Sequence, residues 1–251
     1  MLTWSKTLPS GTELFFTGAQ GFSEISPCGT TNLAFHVGDI PVSVEKNRQK
    51  LAAELSVSNL QFMSQTHSSN IKHFSGKQRL KSEEVQQTDA LVFSGAGAAA
   101  AVMVADCVPV LIYDDAAGLY AVAHAGRAGV LGSIVSKTLT DLYTQGARDL
   151  TVILGPAICS LCYEIPTHMA QDCENVIPGS TGITREGTPS FDLKSGIRLE
   201  VAENFKAKDA YVEIQEIDIC TFEDSRYFSY RKNQKAGRFV GGVVVHENST
   251  P

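Results

Sequence analysis

The chain has 251 residues, 43% of them hydrophobic, and a formal net charge of -6 at pH 7, proportions that suit a single domain with a sizeable core. Lys and Arg are scattered along it, so the basic stripe that nucleic-acid phosphates need is absent, although a few local arginines suffice for a small anionic substrate. No run approaches the roughly 20 apolar residues of a membrane span, and Met1-Leu2-Thr3-Trp4-Ser5-Lys6 lacks the basic-then-apolar layout of a secretory signal; the expected location is the cytoplasm.

The first forty residues are rich in turn formers. Pro41-Val42-Ser43 then leads into Val44–Leu55, where Leu51 and Leu55 recur at helical spacing and Ser43 is the expected N-cap. Leu60–Ser64 and Ile71–Phe74 read as short strands on either side of Gln65-Thr66-His67-Ser68, and Asp89–Phe93 as another, followed by a Gly/Ala turn. Ala101–Ala105, Val108–Tyr113 and Leu119–His124 are short apolar runs rich in Val and Ile, as buried strands are. Gly126–Gly129 opens a helix expected to run through about Tyr143. Leu150–Leu154 is a strand ending in Gly155-Pro156, helices are expected near Thr167–Val176 and Leu193–Phe205, and Val212–Ile217 and Phe239–Val245 read as closing strands. Several strands follow one another directly, which predicts mixed sheets with helices packed outside.

No Gly-x-Gly-x-x-Gly opens a strand–helix unit, and no phosphate loop with Gly-Lys-Ser/Thr occurs, so dinucleotide and Walker-type chemistry are not expected. Three segments instead share a feature. Gln65-Thr66-His67, Ala105-Asp106-Cys107 and Ala123-His124-Ala125-Gly126 each place a reactive polar group where an apolar strand stops, the position from which a rigid scaffold aims side chains into a cleft. Imidazole and thiolate suit zinc or copper, and three protein ligands would leave a fourth position open, as in catalytic sites. Spacing leaves two other readings open: a buried core thiol with two satisfied histidines, and a Cys/His hydrolase with Cys107 as nucleophile and His124 as base.

Of the six cysteines, Cys28, Cys107, Cys159, Cys162, Cys173 and Cys220, all are expected reduced, since a chain of this length needs no disulfide staples. Cys159-Ser160-Leu161-Cys162 has the spacing of half a zinc ribbon but lacks a second pair, and is read as two ordinary thiols. His36, His73, His168 and His246 are assigned to surfaces or caps. Arg48, Arg231 and Arg238 each offer a planar fork for phosphate; Arg231 is favoured because it follows Tyr227-Phe228-Ser229-Tyr230.

Read in order, Asn32-Leu33 with His36-Val37-Gly38-Asp39, Asn47-Arg48, Gln65-Thr66-His67, Thr88-Asp89-Ala90-Leu91-Val92, Ala105-Asp106-Cys107-Val108-Pro109-Val110, His124-Ala125-Gly126, Gly155-Pro156-Ala157-Ile158 through Cys162-Tyr163-Glu164, Asp218-Ile219-Cys220-Thr221 and Phe228-Ser229-Tyr230-Arg231 resemble the laccase-domain family. These are also called polyphenol-oxidase-like proteins or bacterial purine nucleoside phosphorylases of that type. The resemblance implies an α/β fold of four layers, α/β/β/α, with mixed sheets in one domain over residues 1–251. It also implies a Zn2+ or Cu2+ ion on His67, Cys107 and His124. One motif departs: the family usually reads His-Ala-Gly-Trp-Arg-Gly, whereas this chain has His124-Ala125-Gly126-Arg127-Ala128-Gly129. Moving the cation one place along a helix start, to Arg127, turns it by about 100°.

The activity implied is phosphorolysis of adenosine, inosine or methylthioadenosine, with adenosine deamination as a companion. Cys107, His124 and Asp106, the last a candidate proton shuttle, would carry the chemistry; Arg48, Arg231 and Arg127 would bind phosphate or substrate. The partners are then a nucleoside and phosphate, with no nucleic acid, membrane or obligatory protein partner. Amide hydrolysis of a cell-wall precursor through Cys107 and His124, copper-dependent phenol oxidation, and non-catalytic metal binding are the alternatives. Four-copper chemistry is set aside, because six histidines with no His-x-His pair are too few ligands.

Overall fold

A computed structural model describes residues 1–21, 28–58, 60–76 and 84–247. Two strands, β1 (Leu2–Thr7) and β2 (Glu13–Thr17), open the chain, followed by a 3-10 turn at Phe35–Val37 and helix α1 (Pro41–Glu54). Strands β3 (Ile71–Ser75), β4 (Ala90–Ser94), β5 (Ala99–Val104), β6 (Val108–Asp114) and β7 (Leu119–Ala125) come next. Helices α2 (Arg127–Leu131) and α3 (Ile134–Thr144), β8 (Asp149–Leu154), α4 (Thr167–Val176) and the short pair β9 (Thr181–Ile183) and β10 (Pro189–Phe191) precede α5 (Leu193–Asn204), β11 (Tyr211–Glu216) and β12 (Phe239–Val244). One sheet has the order β1-β2-β12-β5 and is antiparallel throughout. The other, β11-β8-β6-β7-β4-β3, is mixed, with parallel pairs at its two edges.

Strand parity explains the packing, because successive side chains leave a strand on opposite faces. Along β7, Leu119, Ala121, Ala123 and Ala125 join an apolar cluster with Val130, Ile134 and Leu139 of α2 and α3. Tyr120 and Val122 point the other way, into a cluster shared with Phe16, Val102 and Phe239 of the four-stranded sheet. Strand β6 divides likewise, Val108, Val110 and Ile112 toward the helices and Leu111 and Tyr113 toward the second sheet. A strand covered on both faces must be apolar throughout, which is why these runs are buried at every position. The far face of the four-stranded sheet, through Phe15, Ala101 and Val240, packs on Leu51 of α1.

Several elements differ from expectation. The opening residues form β1 and β2 instead of turns: β1 alternates half-buried and exposed residues, and β2 is only five residues long. Helix α1 begins at Pro41, whose fixed φ and missing N–H suit the first helical position, so Ser43 lies inside the helix. The single helix expected after Gly126 is two, broken at Gly132-Ser133, where Ser133 adopts φ 58°. Among the described residues, Leu60–Ser64 makes only single bridges, Gln61 to Ala100 and Met63 to Val85. The β9–β10 hairpin was not anticipated.

Candidate active site

In the antiparallel register of β6 with β7, Val108 faces Ala125 and Pro109 faces His124. The residue before β6, Cys107, therefore lies beside the end of β7, which carries His124. Strand β4 flanks β7 on its other side, Ala90 opposite Ala123, so Asp89 arrives at the same place. His124 follows the parity of Tyr120 and Val122 and so emerges at the rim of the layer between the two sheets. Three strand ends thus deliver two donors and a carboxylate to one spot.

The third donor comes from the loop before β3. The buried Asp89 carboxylate gathers that loop around itself: Oδ2 accepts from the backbone N–H of Thr66 (3.1 Å) and Ser68 (2.8 Å) and from both hydroxyls, and Oδ1 accepts from the His67 N–H (3.0 Å). Three successive N–H groups curled on one anion form a nest. His67 holds φ 59° to complete it, a left-handed conformation costing a non-glycine residue of order 1 kcal/mol or more. Gln65 pins the loop to β5 by a reciprocal pair with the Met103 backbone, 2.8 Å in each direction.

Asp89 Oδ1 also meets His124 Nδ1 at 2.9 Å. A carboxylate there keeps the imidazole proton on Nδ1 and leaves Nε2 as the free nitrogen, the usual arrangement behind a metal-bound histidine. Burial opposes the charge on Asp89, but hydrogen bonds from His124 and Ser68 hold its carboxyl far below the usual carboxylate range. Burial likewise raises the Cys107 thiol, yet the His124 charge and hydrogen bonds from both imidazoles outweigh it and bring the pKa down to about 6. His124 is disfavoured as a cation by burial, but Cys107 and Asp89 push it up to about 9.

One ligand atom from each of His67, Cys107 and His124 lies within 4.8 Å of the other two, and Cys107 Sγ is 3.8 Å from His67 Nε2. Tetrahedral zinc with ordinary bond lengths separates nitrogen and sulfur ligands by about 3.6 Å, so the donor set fits such an ion after a small contraction. Gly126 makes the convergence possible. A Cβ there would stand 2.8 Å from Cys107 Sγ and 2.9 Å from His67 Cδ2.

These groups line a cavity of about 530 Å3 that also receives His36, Asp106, Tyr163, Tyr230, Arg231 and Arg238. Arg231 lies with its guanidinium 5.2 Å from the Tyr163 ring, and Arg238 5.6 Å from that of Tyr230. The sequence motifs around Asn32 explain how Arg238 is placed. Buried Asn32 accepts from the Arg238 N–H through Oδ1, donates to Asp39 through Nδ2, and receives Asn47 at its carbonyl.

Three of the expected site residues have surroundings other than those anticipated for their roles. Arg48 is not on the cavity wall: Nε donates to the Leu33 carbonyl, a terminal nitrogen pairs with Glu84 at 2.6 Å, and the guanidinium stacks 3.8 Å from the Phe62 ring. These contacts hold its guanidinium between Leu33, Glu84 and Phe62, apart from the cavity lining. Asp106, expected as a proton shuttle, has both oxygens engaged, Oδ1 by the Thr221 hydroxyl and Oδ2 by the Arg231 N–H, each at 2.7 Å. With φ 89° it shapes the turn that presents Cys107. Arg127 lies outside the cavity lining and interacts with Tyr163 and Cys173. His36, expected at a surface or cap, is exposed and lines the cavity. Asp89, Asn32 and Tyr163 carry no assigned role in the sequence; a lone aspartate opening the apolar run Ala90–Phe93 is the available signal for the first.

Residues 12–246 match the family model described as multi-copper polyphenol oxidoreductase laccase, and the chain belongs to that family. It is 38% identical over 238 residues to a purine nucleoside phosphorylase of Corynebacterium glutamicum, covering 92% of this chain and 93% of the relative. It is 33% identical to one of Streptomyces griseus, covering 97% and 99%. Among solved structures, YlmD from Geobacillus stearothermophilus superposes with a TM-score of 0.83 at 27% identity, covering 96% of this chain and 94% of that one. The mixed α/β fold with several sheets is therefore shared with that structure. Among the described residues no helix is long and apolar enough to cross a membrane.

Proposed function

We propose that the protein is a metal-dependent purine nucleoside phosphorylase acting on adenosine, inosine or methylthioadenosine. The observation that carries this is the convergence of His67, Cys107 and His124 on the wall of a roughly 530 Å3 cavity that also holds Arg231 and Arg238; the curated relatives' activity agrees with it. The volume suits a nucleoside with phosphate. Packing order supports four layers in one domain: α1, the four-stranded sheet, the six-stranded sheet, then α2–α5.

A phosphate oxygen attacks the anomeric carbon, the glycosidic C–N bond breaks with its electron pair passing to the base, and ribose 1-phosphate forms. Arg231 and Arg238 offer the cations for phosphate, and the Tyr163 and Tyr230 rings beside them offer faces for the base. Asp89 orients His124, and Asp106 holds the Cys107 turn. A zinc or copper ion bound by His67, Cys107 and His124 would supply Lewis-acid stabilisation of charge on the departing purine and acidify a water for the companion deamination of adenosine. Among the described residues, only two histidines share this cluster, which speaks against four-copper chemistry.

The test is release of free base from adenosine and inosine, with and without phosphate, by zinc-loaded and chelator-stripped protein. Phosphate-dependent release that vanishes on stripping and in His124→Ala is expected; full activity in that variant would overturn the metal-centred reading. A second reading has its own observation. The low Cys107 pKa, the raised His124 pKa and the Asp89 contact make a thiolate–imidazolium pair with an orienting carboxylate, as thiol hydrolases use. Amide hydrolysis of a cell-wall precursor that survives chelation but not alkylation of Cys107 would select it.

A further inference from the structure

Strands β8 and β11 are parallel neighbours, so the segments that follow them leave the sheet side by side. A bridge between Ala157 and Cys220 continues their pairing, with Ala157 N–H donating to the Ile219 carbonyl and Thr221 N–H to that of Ala157. Each segment then closes a tight turn. The Cys162 N–H returns to the Cys159 carbonyl at 3.0 Å, and the Glu223 N–H to that of Cys220 at 3.1 Å. The sequence pattern is thus Cys159-x-x-Cys162 facing Cys220-x-x-Glu223, two turns of equal spacing with a carboxylate in place of the fourth thiol.

We propose that Cys159, Cys162, Cys220 and Glu223 form a second metal site, a structural zinc clamp behind the wall of the substrate cavity. One ligand atom from each lies within 4.8 Å of all the others, and tetrahedral zinc on thiolates sets sulfur atoms about 3.8 Å apart. Small side-chain adjustments close that gap. Three soft thiolates with one carboxylate select zinc over magnesium or calcium, and four protein ligands leave no open position, which makes the site structural. The three cysteines are half-buried and Glu223 is exposed, so an ion has a route in. Arg185 pairs with Glu223 and approaches Cys162 Sγ at 3.6 Å, offsetting the surplus negative charge of three thiolates and a carboxylate around a divalent ion.

The position gives the clamp a purpose. Ile158 and Tyr163, which flank the first turn, line the cavity. Thr221, within the second, holds Asp106, the neighbour of Cys107. A metal joining the two turns fixes both the Tyr163 wall and the turn that presents the Cys107 thiol, while touching neither substrate nor the first metal.

The experiment counts metal and requires no turnover, so it is independent of the phosphorylase reading. Full-length protein kept reduced, stripped with chelator, reloaded with Zn2+ and desalted should hold about two zinc ions per chain. Cys107→Ser should hold about one, and the double variant Cys162→Ser with Cys220→Ser about one. Should the double variant fail to fold, two readouts on Cys107→Ser remain. Zinc should protect Cys159, Cys162 and Cys220 from alkylation, read by mass spectrometry, and Co2+ should give the intense thiolate-to-cobalt band of a tetrahedral three-sulfur site. One zinc per chain in the wild type with none in Cys107→Ser, equal alkylation with and without zinc, or a Cys159–Cys162 disulfide that forms in preference to metal binding would each overturn the clamp.

Discussion

Asp89 takes part in no proposed bond-making step, yet it sets the geometry of two of the three proposed ligands. It accepts from the His67 N–H and from His124 Nδ1 with the same oxygen. Asp89→Asn keeps the shape but loses the charge that the nest and the imidazole both require, so zinc affinity at the first site should fall about 10- to 100-fold, measured by competition with a chromophoric chelator. An unchanged affinity would show that the carboxylate serves the fold alone. Gly126 makes the complementary case. Its backbone, φ -82° and ψ 174°, is open to alanine, so Gly126→Ala acts only through the methyl that would crowd Cys107 and His67. A loss of at least about tenfold in zinc affinity with an unaltered circular dichroism spectrum is the expected result, on the scale of other disruptions around metal ligands.

At the scale of elements, the break between α2 and α3 creates a helix start with no side-chain cap of its own, and α5 supplies one. Glu200 accepts from the N–H groups of Val135 and Ser136, both at 3.2 Å, and from the Ser136 hydroxyl. Burial raises its carboxyl to about 7 in spite of those bonds. The folded state therefore keeps a proton that the unfolded chain, at its ordinary 4.5, has released. The resulting stability is fully present below the unfolded value and is lost as pH rises through about 7. Wild type should lose up to about 3 kcal/mol relative to Glu200→Gln between pH 4.5 and 8, read from urea melts of both proteins. Parallel pH dependence in the two would remove Glu200 as the source.

Over the whole molecule, the closeness of the two sheets decides whether the rim site exists. Gly155 of the β8 exit faces the Phe16 ring across the layer, where a Cβ would meet it at 2.4 Å; a Cβ on Gly241, the partner of Phe16 within its own sheet, would meet that ring at 2.6 Å and Pro109 of the facing sheet at 3.1 Å. Gly241→Ala should cost about 1–3 kcal/mol by overpacking, measured by denaturant unfolding, with reduced zinc affinity because sheet spacing sets the rim. Stability within about 0.5 kcal/mol of wild type would mean the layer yields without strain.

Local chemistry alone placed much of this protein. Apolar runs with reactive groups at their ends single out His67, Cys107 and His124, although only the family resemblance makes them a metal set, and period and propensity place β4–β8, α4, α5 and β12 to within a few residues, because each is a property of neighbouring side chains. Long-range pairing decided the rest. Asp89 reads as the first residue of a strand and Asn32 as part of a turn-rich entry until the register brings His124 and Arg238 to them. Arg48 looks like a phosphate binder until Glu84 and Phe62 occupy it. Cys159-x-x-Cys162 seemed to lack a second half because that half, Cys220-x-x-Glu223, sits about sixty residues further along the chain and carries a carboxylate where a thiol was sought. Spacing along the chain reports what one turn can hold; which turns face each other is fixed only when β8 and β11 pair and the two sheets close on a common core.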